Sequence, residues 1–216
     1  MVRFDVFSDP ICPWCYIGKK HLDQAIKQTG VTFFDIRWHP FQLNPDMPQE
    51  GMDRRRYLEQ KFGGQAGAVN AYTPVLQHAQ SAGLEINFAA IKKTPNTLNA
   101  HRLIHWSEAE GRQNEVVSAL FDAYFLEGRD LNDSKHLCEI AFSAGMDKAL
   151  VERLLATKND LVHIAERDSD ARKMGVGAVP TFVVAGHHVV QGVQSEDFWS
   201  NVITEISDKL SKAQTR

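Results

Sequence analysis

Cysteine is scarce in this chain, with three residues in 216, at positions 12, 15 and 138. Three cysteines cannot make the disulfide framework that staples small secreted domains. Long apolar runs are missing as well. No stretch approaches the roughly 20 residues that cross a bilayer as a helix, so no membrane partner is expected. Neither sign of charge dominates: 24 Lys and Arg stand against 27 Asp and Glu, a net charge of −3. That balance gives no electrostatic footprint for nucleic acid. Low-complexity segments and internal repeats are absent too. The residues after Met1 do not read as an export signal, and the expectation is a reducing, cytoplasmic setting.

At 43% hydrophobic, the chain can bury a good core. Its length suits one large domain, or one domain carrying an insertion. Two of the three cysteines stand together in Ser8-Asp9-Pro10-Ile11-Cys12-Pro13-Trp14-Cys15-Tyr16. This stretch follows a short apolar strand, Val2 to Phe7, and opens a helical run, Tyr16 to Gln28. A C-x-x-C at a strand-to-helix junction is the redox motif of thioredoxin-like folds. The helix start offers unpartnered N–H groups and the positive end of the dipole to a thiolate at Cys12. Pro13 suits the first turn because it needs no N–H partner. Cys15 follows one turn on, placed to attack a mixed disulfide formed at Cys12. An unperturbed thiol, with a pKa of about 8.5, is only about 3% thiolate at neutral pH. Helix-start C-x-x-C cysteines fall to about 3.5–7, which makes the thiolate a large species.

Other chemistry is possible for two cysteines three apart. They form half of a zinc site, which His21 and His39 would complete on paper, or a purely structural disulfide. No metal site is expected. A buried acid beneath the cysteines would relay the proton of Cys15. Asp5, in the first strand, and Asp35 are equal candidates; for Asp5 a partly solvated face is the blander expectation.

Thr32 to Trp38 alternates as a second strand, parallel to the first in a β-α-β unit. His39 to Pro48 holds three prolines and reads as a loop. Helical patterns then fill Met52 to Lys173: Asp53–Gly63, Asn70–Ala82 with a break near Pro74, Asn96–Glu110, Asn114–Leu126, Ser134–Ala144 capped by Asp133, Ala149–Thr157 after Asp147, and Asp160–Met174. Cys138 falls on an apolar helical face as a small buried hydrophobe. The period then returns to strands, Thr181–Val184 and His188–Gln191, with a turn at Gly186-His187. Ser195 caps a last helix through Leu210, and the tail 211–216 should fray. The fold expected is α/β, a thioredoxin-like β-α-β … β-β-α fold with a large all-helical insertion. Its pieces are 1–48, then the insertion 49–174, then 175–216.

In such a fold Pro180 opens the strand beside the cysteines. A cis Val179–Pro180 bond would turn the Val179 backbone outward to pair with an extended substrate chain. A trans proline on an edge strand is the plainer alternative. Trp14, Phe41 and Pro13 would line an apolar groove, unless the aromatics merely pack.

Four segments together resemble the DsbA family, in its FrnE-like branch. They are Ser8-Asp9 with C-P-W-C-Y-I-G, Trp38 with Pro40-Phe41-x-Leu43-Asn44-Pro45, Pro95-Asn96-Thr97-x-x-Ala100-His101-Arg102, and Gly175-Val176-x-x-Val179-Pro180-Thr181-Phe182. The resemblance spans about Val2 to Leu210. It implies a thiol–disulfide oxidoreductase or isomerase, with Cys12 as attacking cysteine, Cys15 as resolving cysteine and Pro180 as cis-proline. It also suggests that Asn96, Asn99 or His101 faces a substrate or glutathione, against the plainer reading of Asn96 as a cap and His101 as a locally satisfied core residue. The implied partners are proteins carrying disulfides or thiols, with glutathione or thioredoxin as electron partner. No bound cofactor is implied, only glutathione as a redox co-substrate. The relatives include 2-hydroxychromene-2-carboxylate isomerases and kappa-class glutathione transferases, which usually show serine at the Cys12 position. A glutathione-dependent isomerase or transferase is therefore the alternative reading, and a redox-gated binding or chaperone module a third.

Overall fold

The computed structural model describes residues 1–214. Strand β1 (Val2–Ser8) is followed by helix α1 (Pro13–Thr29) and strand β2 (Phe34–Pro40). A two-residue strand β3 (Met52–Asp53) leads into α2 (Arg54–Phe62) and α3 (Gln65–Ser81). Strand β4 (Lys93–Thr94) precedes α4 (Leu98–Ala109), α5 (Gln113–Phe125), α6 (Ser134–Ser143), α7 (Lys148–Leu155) and α8 (Leu161–Lys173). The chain closes with β5 (Thr181–Val184), β6 (His188–Gln191) and α9 (Glu196–Gln214).

The main sheet has the order β2-β1-β5-β6, with β1 parallel to β2 and antiparallel to β5. This is the expected mixed sheet of a thioredoxin-like fold with helices between β2 and β5. On one side Trp199 of α9, fully buried, packs on Phe4 and Phe182, and α1 lies along α9. Helices α4, α5 and α8 pack against β2. The helical block thus shares its core with the sheet, through Leu120, Phe121, Tyr124 and Phe125 of α5 among others.

Several expectations shift. Helix α1 begins at Pro13, three residues before Tyr16, because the proline is already helical. Strand β2 runs through His39 and Pro40 rather than ending at Trp38. Pro40 is tolerated because β2 is an edge strand, where a missing N–H breaks no ladder. Pro74 does not break α3, which starts earlier, at Gln65. The proline faces solvent, so the Asn70 carbonyl it leaves without a donor is open to water. The β3–β4 ribbon is too short to show alternation in sequence. Helix α9 continues past Leu210 to Gln214, so 211–214 are helical, and 215–216 lie outside the described residues. Asp133 and Asp147 cap α6 and α7, accepting from Lys135 N and Leu150 N. Ser195 Oγ accepts from Phe198 N at the start of α9.

Candidate active site

Cys12 is the N-cap of α1, with φ −87° and ψ 112°, and Pro13 is the first helical residue. The carbonyl of Cys12 accepts from Cys15 N (3.1 Å) and Tyr16 N (3.2 Å), and its own N–H donates to Asp9 O (2.9 Å). No side chain caps this helix and no acid stands in its first turn. The positive helix end is therefore left to the cysteine. The Cys12 thiol reaches across to the second half of the chain and donates to Val179 O at 3.7 Å. The Val179–Pro180 bond is cis. Pro180, in turn, rests on α1 at Gly18, where a Cβ would fall 3.1 Å from Pro180 Cγ.

Cys15 lies deeper, 1% exposed. Burial pushes its thiol well above the ordinary range, and the neighbouring Cys12 sulfur adds to the shift. The Ser8 hydroxyl and the Asp9 N–H, both facing Cys15, oppose it. Trp14 is half-buried, its ring 5.3 Å from His78 in an edge contact. Tyr16 Oη donates to Asp122 Oδ1 at 2.6 Å, tying α1 to α5.

The acid at this site is Asp9, rather than Asp5 or Asp35. Asp5 is buried but engaged by His39 (2.6 Å) and Arg3, and Asp35 pairs with Arg37 (2.9 Å). Asp9 has no exposed surface. Its Oδ2 accepts from Leu43 N at 2.6 Å and its Oδ1 from Ile11 N at 3.2 Å, with Thr97 as a further donor. Burial pushes its carboxyl up to about 7 despite these bonds, and nearby Asp168 adds to the shift. The sequence offered only a weak cue for Asp9. It is a charged residue inside the apolar run that carries the cysteines.

The loop after β2 is fixed by the same groups. Gln42 N donates to Asp168 Oδ1 (2.8 Å), Arg172 donates to Gln42 O and stacks over Phe41, and Leu43 N is held by Asp9. Asn96 spends its side chain locally: Nδ2 donates to Met47 O (2.7 Å) and Oδ1 accepts from Leu98 N (2.9 Å). Asn99 Oδ1 accepts from Arg102. His101 is 3% exposed and turned inward, its Nε2 4.0 Å from Asp9 Oδ1. The structure thus gathers Cys12, Pro13, Trp14, Cys15, Val179 and Pro180 at one helix end, and puts His101 behind them and Asn96 in the supporting loop. Cys138 is buried on α6, away from this cluster in the chain, and burial pushes its thiol up. His39 is held by Asp5 and Arg167, and no group of three or more His, Cys, Asp or Glu among the described residues is arranged to hold a metal.

Comparison with known proteins places the chain by family and fold. A family model described as DSBA-like thioredoxin domain matches residues 3–204. The uncharacterized protein YwbO of Bacillus subtilis (strain 168) is 28% identical over 210 residues, 96% of this chain and 98% of YwbO. Among solved structures, the probable DsbA oxidoreductase SCO1869 from Streptomyces coelicolor superimposes with a TM-score of 0.82 at 24% identity, over 95% of this chain and 89% of that one. A 2-hydroxychromene-2-carboxylate isomerase matches with a TM-score of 0.70 at 16% identity, over 99% and 98%. The cytosolic disulfide reductase DsbM from Pseudomonas aeruginosa, solved with GSH, matches with a TM-score of 0.66 at 18% identity, over 95% and 99%. At these identities the structural likenesses speak for the fold.

Proposed function

This chain belongs to the DSBA-like thioredoxin-domain family, and on that premise we propose that it is a protein thiol–disulfide oxidoreductase or isomerase working through Cys12 and Cys15. The observation that carries the reading is Cys12 at the N-cap of α1 with its sulfur 3.7 Å from Val179 O, beside the cis-proline. One helix end stabilises a thiolate, and an extended substrate segment has a backbone edge to lie on.

The Cys12 thiolate attacks one sulfur of a substrate disulfide. A Cys12–substrate disulfide forms, and the other substrate sulfur leaves as a thiolate that takes a proton. Cys15, held as a thiol by burial, then gives up its proton and attacks Cys12 Sγ. The Cys12–Cys15 disulfide forms and the second substrate thiolate is released. The substrate gains two electrons and the dithiol loses them; run backwards, the oxidised protein donates its disulfide. Trp14 and Pro13 flank the attacking sulfur as apolar contacts for the peptide. Glutathione or thioredoxin restores the dithiol as a redox co-substrate, and no bound cofactor is needed. In a reducing cytoplasm the pair rests mainly as dithiol unless its potential is low, which favours reductase or isomerase work.

The test is a trapping experiment in which the reduced protein meets an oxidised, disulfide-bearing protein substrate. Cys15→Ser should accumulate a mixed disulfide through Cys12, and Cys12→Ser should form none. Turnover of a small molecule with saturable glutathione dependence, undiminished in Cys15→Ser, would instead establish the glutathione-dependent isomerase or transferase. Equilibration against glutathione buffers gives the direction of work. A potential near about −270 mV marks a reductase, and one near about −120 mV an oxidant or an isomerase kept reduced.

A further inference from the structure

His101 and Asp9 face each other inside the protein, with His101 3% exposed and Asp9 fully enclosed. His101 Nε2 is buried and has no hydrogen-bond partner. Asp9 Oδ1 lies 4.0 Å from it. With Nε2 unpartnered, the Phe41 backbone, which favours a proton on the ring, bears on the other ring nitrogen. The tautomer that this backbone favours carries its proton on Nδ1 and leaves Nε2 as a lone pair. A lone pair aimed at an ionised carboxylate is repelled. Aimed at a carboxylic acid, it accepts a hydrogen bond.

The two oxygens of Asp9 differ in the same sense. Of the two backbone bonds, the one to Oδ2 from Leu43 N is 2.6 Å, while the one to Oδ1, the atom facing His101, is a longer 3.2 Å from Ile11 N. Oδ1 is therefore the oxygen free to carry a proton. From this geometry we propose that His101 is a positioning residue that holds Asp9 as a neutral carboxylic acid beside the dithiol, with Oδ1–H directed to Nε2.

The surrounding charges agree. On α8, the Arg167 guanidinium opposes a second proton on His101, and Asp168 opposes ionisation of Asp9. Arg167 itself donates to His39 Nδ1 (2.9 Å) and His105 Nδ1 (3.2 Å), and Arg172 binds Asp168. From α5, Tyr124 is near enough to feel the Asp9 charge, and from α1, Cys15 takes the Asp9 N–H. The Thr97 side chain, at the start of α4, is the opposing group and favours the ionised carboxyl. Burial sends the two groups in opposite directions, Asp9 up to about 7 and His101 down to about 3, so both are neutral between those values.

The consequence for the cysteines rests on the oxidoreductase reading; the pairing itself does not. A neutral Asp9 adds no like charge beside a forming thiolate, whereas an ionised one opposes it. In His101→Gln, the amide places an N–H donor where the lone pair stood. The donor favours the ionised carboxylate, so Asp9 should become at least tenfold more acidic. The reduced dithiol should then lose thiolate, and the exchange equilibrium with glutathione should move several-fold towards the protein disulfide.

The experiment reads the Asp9 carboxyl by infrared difference spectroscopy, with Asp9→Asn to assign the band. The expected result is a protonated-carboxyl stretch at pH 6 that titrates near 7 in the wild type and at lower pH in His101→Gln. A carboxylate band at pH 6 in the wild type, or a titration unchanged in His101→Gln, overturns the proposal. If His101→Gln does not fold, nitrogen-15 histidine spectra of the wild type decide. They should show a protonated Nδ1 and a bare, hydrogen-bonded Nε2 at pH 5 to 6, below the titration of Asp9, and an Nε2–H signal there overturns the assignment. None of these readouts needs turnover, so they stand even if the trapping experiment fails.

Discussion

Gly18 on α1 lies against the ring of Pro180, the Cβ it lacks falling 3.1 Å from Pro180 Cγ and 3.5 Å from Phe182 Cζ. This contact joins α1 to the start of β5 beside Cys12 and Cys15. The helix that carries the cysteines can approach the strand that follows Pro180 only where it presents no side chain. The distance of Cys12 Sγ from Val179 O therefore depends on the glycine one turn beyond Cys15 as well as on the cysteine itself.

Gly18→Val should be destabilised by about 1–3 kcal/mol, because extra methyl groups must displace a proline ring and a buried phenyl. The helix-propensity gain over glycine is only a few tenths of a kcal/mol and does not offset this. For a chain of this size each kcal/mol is roughly 2–4 °C in Tm. Thermal melts of both proteins check it, and a variant that melts with the wild type would mean that the contact has slack.

The strands, the parallel β1–β2 pair, the β5–β6 hairpin and the helical block were legible because each rests on local periodicity. Phe4 and Val6 alternate, and Ile17, Leu22 and Ala25 repeat at helical spacing. The cysteine pair and Pro180 were legible because both are local motifs. Asp9 was not given its place, since its burial depends on Leu43, Thr97 and His101, which reach it from other parts of the chain. The role of Gly18 was hidden for the same reason. Pro74 and Pro40 misled in the other direction. A proline is a strong local signal, yet a solvent-facing helix position and an edge strand both accommodate it.

Arg102 is 1% exposed and meets no carboxylate. Its guanidinium donates to the carbonyls of Asn159 (2.8 Å), Leu154 (2.9 Å) and Thr157 (3.0 Å), closing the end of α7, and lies over the Trp106 ring. A planar five-donor fork is needed to serve these acceptors together, and an ammonium cannot replace it. Arg102→Lys should therefore lose about 2–4 kcal/mol by leaving buried carbonyls unpaired. Denaturant titration measures this, and a loss below about 1 kcal/mol would show that those carbonyls find other donors.

The Tyr16–Asp122 bond offers a contrast. At 2.6 Å it is short, but Asp122 is exposed to water. Tyr16→Phe keeps the stack on Phe121 and Phe125 and loses a bond that solvent replaces on the acid. The expected cost is about 0.5–1.5 kcal/mol. A cost beyond about 3 kcal/mol would mean that the bond holds α1 against α5 more firmly than the exposure of Asp122 allows.

Asp9 and His101 also leave a signature in stability against pH. Unfolded, Asp9 ionises near 3.8 and His101 protonates near 6.5; folded, the values are about 7 and about 3. Between about pH 4 and 6.5 the folded protein keeps a proton on Asp9, while the unfolded chain keeps one on His101. The two states bind equal numbers of protons at this pair, so the pair contributes no slope. In Asp9→Asn only the histidine remains. The unfolded state then binds one more proton below 6.5, and stability falls as the pH is lowered towards 3, by up to about 1.4 kcal/mol per pH unit. Groups elsewhere titrate alike in both proteins and cancel in the difference. The gap between wild type and Asp9→Asn, from urea midpoints at pH 4, 5, 6 and 7, should widen steadily on acidification. Parallel curves would mean that Asp9 holds its proton no more tightly in the folded protein than in the unfolded chain.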